Sequence, residues 1–159
     1  MAGFVGEVKL AASLEANVRN RSLIVANVDP KLAVMGDRNL LLAALGNLLQ
    51  NAFKYSHAGG EVTLNAYASG ERILIDVEDS CGGLAEGVAE RMFLPFAQMS
   101  RDRSGAGLGL SISRRGVEAN GGTLSVRNVP GTGCVMTISL PRHALSNADR
   151  SPDLADADA

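Results

Sequence analysis

Four side chains on one stretch could do chemistry together: the amides of Asn47 and Asn51, the ammonium of Lys54 and the phenol of Tyr55. Read as a helix, residues 45–56 place Asn47, Asn51 and then Lys54 or Tyr55 at i, i+4 and i+7 or i+8, one above another. Asparagine is a weak helix former, so two of them inside a good amphipathic helix need a physical reason. One reason is that they sit at the core edge and satisfy neighbouring backbone groups. The other is that their carbonyl oxygens face a hard cation such as Mg²⁺ and the phosphates it carries. The helix alone leaves both readings open. A second candidate is Gly105-Ala-Gly107-Leu-Gly109-Leu110 at the start of another predicted helix. Glycines there let backbone N–H groups crowd an anion, and the helix N-terminus adds partial positive charge. The same spacing also describes a flexible turn. It is not a dinucleotide fingerprint, because no strand immediately precedes it, and no Gly-Lys-Ser/Thr follows as a Walker-type loop requires. A third is Asp79-Ser-Cys-Gly-Gly83, a loop in which a carboxylate and backbone N–H groups can both face a ligand.

The elements that must position these groups are legible from periodicity. Leu41, Leu45, Leu48, Leu49 and Ala52 form the core-facing stripe of the central helix. Asp37 is its expected N-cap, and it runs to about Tyr55. Ahead of it, residues 5–20 read as a helix with Val5, Val8, Ala12 and Val18 inward, residues 23–28 as a short strand, and residues 33–35 as another. Residues 61–68 alternate, with Val62, Leu64 and Ala66 on one face. Residues 73–78 alternate again, with Ile73, Ile75 and Val77; the short glycine turn between the two runs makes a hairpin. A short helix is predicted over 86–92. The polar, basic, glycine-bearing segment 99–107 reads as mobile. Residues 108–120 read as a helix with Leu108, Ile112 and Val117 inward, stopped by Gly121-Gly122. Strands follow at 123–128 and 134–140. Hairpins with helices on one side define an α+β class: a two-layer α/β sandwich, its mixed, mostly antiparallel sheet backed by helices. Residues 1–142 form one domain, and residues 143–159, rich in Ala, Ser and Asp, read as a disordered tail.

The 159 residues suffice for one well-buried core. A net charge of −2 argues against a nucleic-acid footprint, which needs a basic surface. No apolar run has membrane-spanning length and no cleavable signal pattern is present. Two cysteines, Cys81 and Cys134, make neither a disulfide framework nor a metal-binding spacing, and read as free thiols in a reducing cytoplasm.

Four motifs occur in order: Asn-x-x-x-Asn-Ala-x-Lys-Tyr-Ser at 47–56, Asp-x-x-x-Gly at 79–83, Phe-x-x-Phe at 93–96 and Gly-x-Gly-Leu-Gly-Leu at 105–110. Together they strongly resemble the N, G1, F and G2 boxes of the ATP-binding catalytic domain of sensor histidine kinases. The resemblance covers roughly residues 37–141. It implies the sandwich shared with gyrase, the Hsp90 chaperones and the MutL proteins, with ATP and Mg²⁺ on the helical side under a lid. By that resemblance Asn51 is the Mg²⁺ ligand and Asn47 lines the phosphate side. Lys54 neutralises phosphate charge, and Tyr55 packs near the adenine. Asp79 accepts from the adenine amino group, and Gly83 gives its loop room. Phe93 and Phe96 anchor a lid of about 97–106. Gly105, Gly107 and Gly109, with Leu108 and Leu110 between and after them, bring backbone to the phosphates. Thr132 lies in the last glycine turn, Gly131-Thr-Gly133.

Two departures are tolerated variants on this reading: Cys81 in place of the first glycine of Asp-x-Gly-x-Gly, and Asn120 in place of a common His before Gly-Gly. A third bears on function. No phospho-acceptor motif is present, and His57 and His143 read as ordinary surface residues. The resemblance therefore implies a domain that binds Mg-ATP and donates the γ-phosphate to a histidine on a separate dimerisation and phospho-acceptor domain of the same full-length protein. A response regulator lies downstream, and the domain itself makes no nucleic-acid or membrane contact. It implies a cytoplasmic location, within a full-length protein that a membrane can anchor. The alternatives are an ATPase switch of the gyrase or chaperone type and an anti-sigma-type regulator of the same fold. An ATPase needs a carboxylate one turn before the Mg-binding Asn, where this chain has Asn47, an amide that cannot take a proton.

Overall fold

The central helix begins where Asp37 caps it: the carboxylate accepts from the N–H groups of Asn39 and Leu40 at 2.9 and 3.1 Å. The computed structural model describes residues 1–84, 87, 91–93 and 109–144. In order these form α1 (Ala2–Val18), β1 (Ser22–Val25), α2 (Arg38–Tyr55), β2 (Glu61–Ser69), β3 (Arg72–Glu78), α3 (Gly109–Ala119), β4 (Thr123–Val129) and β5 (Gly133–Pro141). The expected helix over 86–92, the segment 97–106, Phe96, Gly105, Gly107, Leu108 and residues 145–159 lie wholly or mostly outside the described residues.

The five strands form one sheet in the order β1-β2-β3-β5-β4. β1 runs parallel to β2, and the other neighbours pair antiparallel. In β2 and β3, Val62, Leu64, Ala66, Ile73, Ile75 and Val77 are buried, as the alternation requires. The opposite face is polar: Tyr67 and Thr137 both donate to Asp76, and Arg72 donates to Ser139. One apolar and one polar face allow helices on one side only, so the architecture is the expected two-layer α+β sandwich. Leu45, Leu48, Leu49 and Phe53 of α2 are essentially inaccessible. Burial of each stabilises the fold by about 1.5–3 kcal/mol.

Three expectations are corrected. Val18 is exposed, and Ala16 takes the inward place in α1. The exposed Leu10, Leu14 and Val18 then stand at i, i+4 and i+8 on one side of that helix. Ile112 is exposed too, and α3 packs through Leu110, Ser113 and Val117. A serine carries no apolar signal, so the packed face lies one residue away from the hydrophobic pattern. Residues 33–35 form no strand; the Ala33 carbonyl accepts a single bond from the His143 N–H at 2.8 Å, and one bond is not a ladder. No described helix is long and apolar enough to cross a membrane.

Asn120 ties the two helices that matter most. Its side-chain oxygen accepts from the Asp37 N–H at 2.6 Å, and its amide donates to the Gly116 carbonyl at 2.7 Å. The residue joins the end of α3 to the start of α2, which is more than a neutral replacement does. α3 stops at Gly121, whose left-handed backbone (φ 74°) lets the Gly122 N–H reach the Val117 carbonyl at 3.0 Å.

Candidate functional site

The polar stripe of α2 faces the start of α3. Asn47 Nδ2 donates to Ser113 Oγ at 3.2 Å and to the Gly109 carbonyl at 3.4 Å. Ser113, fully buried, donates in turn to the Ala44 carbonyl at 3.4 Å. The Asn47 amide therefore joins the two helices where the glycine motif meets α3. Gly109 comes close enough that a side chain there would touch Asn47. Asn51, one turn on, is half-buried, and among the described residues its amide has no hydrogen-bond partner. At the end of the helix Lys54 Nζ lies 5.4 Å from the centre of the Tyr55 ring, a cation–π contact. From Asn47 to Tyr55 the stripe extends ~12 Å at the rise of an α-helix.

Ser56 and Ser80 fasten the end of this helix to the Asp79 loop. Buried Ser56 accepts from the Ser80 N–H through its hydroxyl at 3.0 Å. The His57 N–H donates to the Ser80 carbonyl at 3.2 Å, and Ser80 Oγ donates to the Glu61 carbonyl at 2.6 Å. Sequence reading missed both serines as positioning residues. Ser56 closes the Lys-Tyr-Ser run and so was within reach, whereas Ser80 carries no signal of its own.

Asp79 is 5% exposed at the base of this corner. Its N–H donates to the Cys134 carbonyl at 3.0 Å. Its Oδ1 accepts from the Cys134 N–H at 2.9 Å and the Cys81 N–H at 3.2 Å, and its Oδ2 accepts from Cys134 Sγ at 3.0 Å. One carboxylate oxygen is thus held by backbone, and the other accepts from a thiol. Burial first, and the Asp79 carboxylate second, push the Cys134 thiol far above the usual range; Cys81 is raised by the same causes in the same order. Gly133 is what lets β5 press on Asp79: a Cβ there would lie 2.0 Å from the Asp79 carbonyl oxygen. Thr132 accepts from the Gly82 N–H at 2.9 Å through its carbonyl, and the Leu84 N–H donates to Asn128 at 2.8 Å. These bonds bind the loop of Gly83 to the β4–β5 turn. Phe93 is half-buried, with the Arg114 guanidinium 5.6 Å from its ring centre.

Of the residues singled out in the sequence, the fold brings together Asn47, Gly109 and Leu110 at one end. Asp79, Gly83 and Thr132 meet at the other, and Asn51, Lys54 and Tyr55 lie along the helix between. His57 is exposed, and among the described residues the hydrogen-bond partner of its ring is the neighbouring Ala58 carbonyl.

A helical layer presenting amides, a buried carboxylate in a glycine loop and a glycine-opened helix define a class. Residues 36–144 match the histidine kinase-, DNA gyrase B- and HSP90-like ATPase family, and the chain belongs to it. It is 39% identical over 105 residues to the alginate biosynthesis sensor protein KinB of Pseudomonas aeruginosa, covering 66% of this chain and 18% of that protein. It is 40% identical over 114 residues to the sensor-like histidine kinase SenX3 of Mycobacterium tuberculosis, covering 69% and 28%. Among solved structures, full-length ShkA in complex with AMPPNP matches with a TM-score of 0.79 at 30% identity, over 91% of this chain and 30% of that one. The ThkA histidine kinase catalytic domain shares the fold, with a TM-score of 0.79 at 24% identity, over 89% and 92%. The chain spans less than a third of the length of the curated relatives named here.

Proposed function

We propose that this chain binds Mg-ATP and donates the γ-phosphate to a histidine on a dimerisation and phospho-acceptor domain, as the catalytic part of a two-component sensor kinase whose product passes to a response regulator. The observation that carries the reading is the state of Asn47. It stands one turn before Asn51, where an ATPase of this superfamily needs a carboxylate, and its amide is spent on Gly109 and Ser113. An amide so held takes no proton from water, which preserves bound ATP for transfer. The ATPase-switch and regulator readings lack a comparable feature.

The residues present fit the group. Asn51 offers a half-buried amide oxygen with no described protein partner, suited to a hard cation. Lys54 supplies positive charge beside it, and Gly109 opens a helix N-terminus toward the phosphates. Bound Mg²⁺ neutralises charge on the transferring phosphoryl group. The chain's own part is positioning: α2 fixes Asn51 and Lys54 on one rigid face, and the Asp79 loop orients the base. Phe96, Gly105, Gly107 and Leu108 complete the proposed cradle, with the lid over 97–106. On the same reading the domain works in the cytoplasm and touches neither nucleic acid nor membrane.

Asp79 is the proposed reader of adenine. In Asp79→Asn the Cys134 and Cys81 N–H groups demand an acceptor at the Oδ1 position, so the amide nitrogen takes the Oδ2 position. That atom donates where the carboxylate accepted, which suits a guanine carbonyl better than an adenine amino group. The expected result is a fall of about tenfold or more in the ratio of ATP to GTP affinity, about 1.4 kcal/mol. An unchanged ratio means that Asp79 does not read the base.

The kinase reading is tested with radiolabelled ATP, first with this chain alone and then with an acceptor-histidine dimerisation domain from a matching kinase. Label on the added domain and not on this chain is expected, with slow phosphate release. His57 follows directly on the helix that holds Asn51, and so lies on the metal's side rather than in line with the leaving oxygen. Rapid phosphate release without transfer would instead establish the ATPase switch, and binding with neither would establish the regulator.

A further inference from the structure

The proposed phosphotransfer makes no use of two thiols at the base of its site. Cys81 and Cys134, far apart in the chain, converge on Asp79. One ligand atom from each of the three residues, two sulfurs and a carboxylate oxygen, lies within 4.8 Å of the other two. A tetrahedral zinc ion takes thiolates at about 2.3 Å and carboxylate oxygen at about 2.0–2.2 Å, which sets the ligand atoms roughly 3.5–3.8 Å apart by the same geometry. Cys134 Sγ and Asp79 Oδ2 are already 3.0 Å apart. The scaffold holds two of the three ligands firmly. Asp79 and Cys134 are buried and exchange backbone and side-chain bonds at 3.0 and 2.9 Å. Because backbone N–H groups occupy Oδ1, Oδ2 is the oxygen turned toward the sulfurs. Cys81 is half-buried on the loop side, and a water in the fourth position would complete the tetrahedron.

We propose that Asp79, Cys81 and Cys134 form a binding site for a thiophilic divalent cation of the Zn²⁺ class, and that the bound ion excludes nucleotide. The exclusion rests on the reading of Asp79 as the group that recognises the base. Entry of the ion forms two metal–sulfur bonds and one metal–oxygen bond and releases both thiol protons to solvent. Two thiolates and a carboxylate against a divalent cation leave one net negative charge, the charge the carboxylate carries alone. The buried corner therefore gains an ion without gaining charge, which removes the usual objection to burying one. Mg²⁺ prefers oxygen ligands and keeps its waters, so it does not compete for the sulfurs. An ion on Oδ2 takes the oxygen that the adenine amino group would use.

The test uses the full chain, kept reduced, titrated with Co²⁺ as a spectroscopic probe and then with Zn²⁺. One equivalent of Co²⁺ should produce a thiolate-to-cobalt charge-transfer band with the visible bands of tetrahedral cobalt, and Zn²⁺ should abolish both. Cys81→Ser should weaken binding by at least ~10-fold, the scale on which even groups supporting a metal's ligands act. Zn²⁺ should displace a fluorescent ATP analogue from the wild type and not from Cys81→Ser, which also controls for zinc held by the nucleotide itself. Absence of the charge-transfer band, or cobalt affinity in Cys81→Ser and Cys134→Ser as high as in the wild type, overturns the metal site. If Asp79→Ala still loses nucleotide in that case, the reading of the base stands. Cobalt bound through thiolates with nucleotide affinity undiminished overturns the exclusion, and the loss or retention of nucleotide in Asp79→Ala then decides the assignment of Asp79 to the base separately.

Discussion

Replacing Asn51 by alanine is expected to weaken Mg²⁺-dependent nucleotide binding by at least ~100-fold, about 2.7 kcal/mol, while the domain stays folded. The stability of α2 lives on its other face, in Leu41, Leu45, Leu48, Leu49, Ala52 and Phe53. Alanine is a better helix former than asparagine, and the change orphans no hydrogen-bond partner among the described residues. The fold therefore has no reason to suffer. The lost group is the half-buried amide on the stripe that Asn47 and Asn51 share which has no hydrogen-bond partner among the described residues. Calorimetry with and without Mg²⁺ separates the terms: the mutant should bind nucleotide equally weakly in both conditions. Wild-type affinity in Mg²⁺ would remove Asn51 from the metal.

Gly133→Ala should damage both stability and binding, although position 133 touches none of the residues proposed for the phosphates. A Cβ at this site would meet the Asp79 carbonyl oxygen at 2.0 Å and Oδ1 at 2.7 Å. No rotamer can relieve a clash made by Cβ itself, so either β5 or the Asp79 loop must move. Moving either one breaks the Asp79 N–H bond to the Cys134 carbonyl and the Cys134 N–H bond to Oδ1. Forced overpacking of this kind costs roughly 3 kcal/mol, and a thermal midpoint lower by on the order of 10 °C follows. Nucleotide affinity, measured well below the new midpoint where the protein is still folded, should fall as well because Asp79 no longer stands where it reads the base. Thermal denaturation and analogue binding together check the prediction. A mutant with an unaltered midpoint would show that strand and loop are free to separate here.

Much of this molecule is legible in its sequence, for a physical reason. α2 shows itself through the period of its apolar residues, and every member of the predicted stripe is buried. The β2–β3 hairpin shows itself through strict alternation about Gly70, and the register of the two strands follows from that turn. The motif residues Asn47, Asn51, Lys54 and Asp79 stand out because polar side chains at helical spacing, or a carboxylate in a glycine loop, are hard to explain by packing alone. Local pattern reports one thing, which is whether a segment has a face to bury. It is silent where a packed face is polar, so α3 turned on Ser113 rather than Ile112, and it does not rank two apolar residues that lie close in the chain, so α1 turned on Ala16 rather than Val18. It is silent also about pairs brought together by sheet register. The β3–β5 pairing alone lays Cys134 against Asp79 and the loop of Cys81. In the same way, only the packing of α3 on α2 makes Asn120 a bridge to Asp37 and Asn47 a bridge to Gly109. Spacing along the chain names the groups that can do chemistry; long-range packing decides which of them are left free to do it.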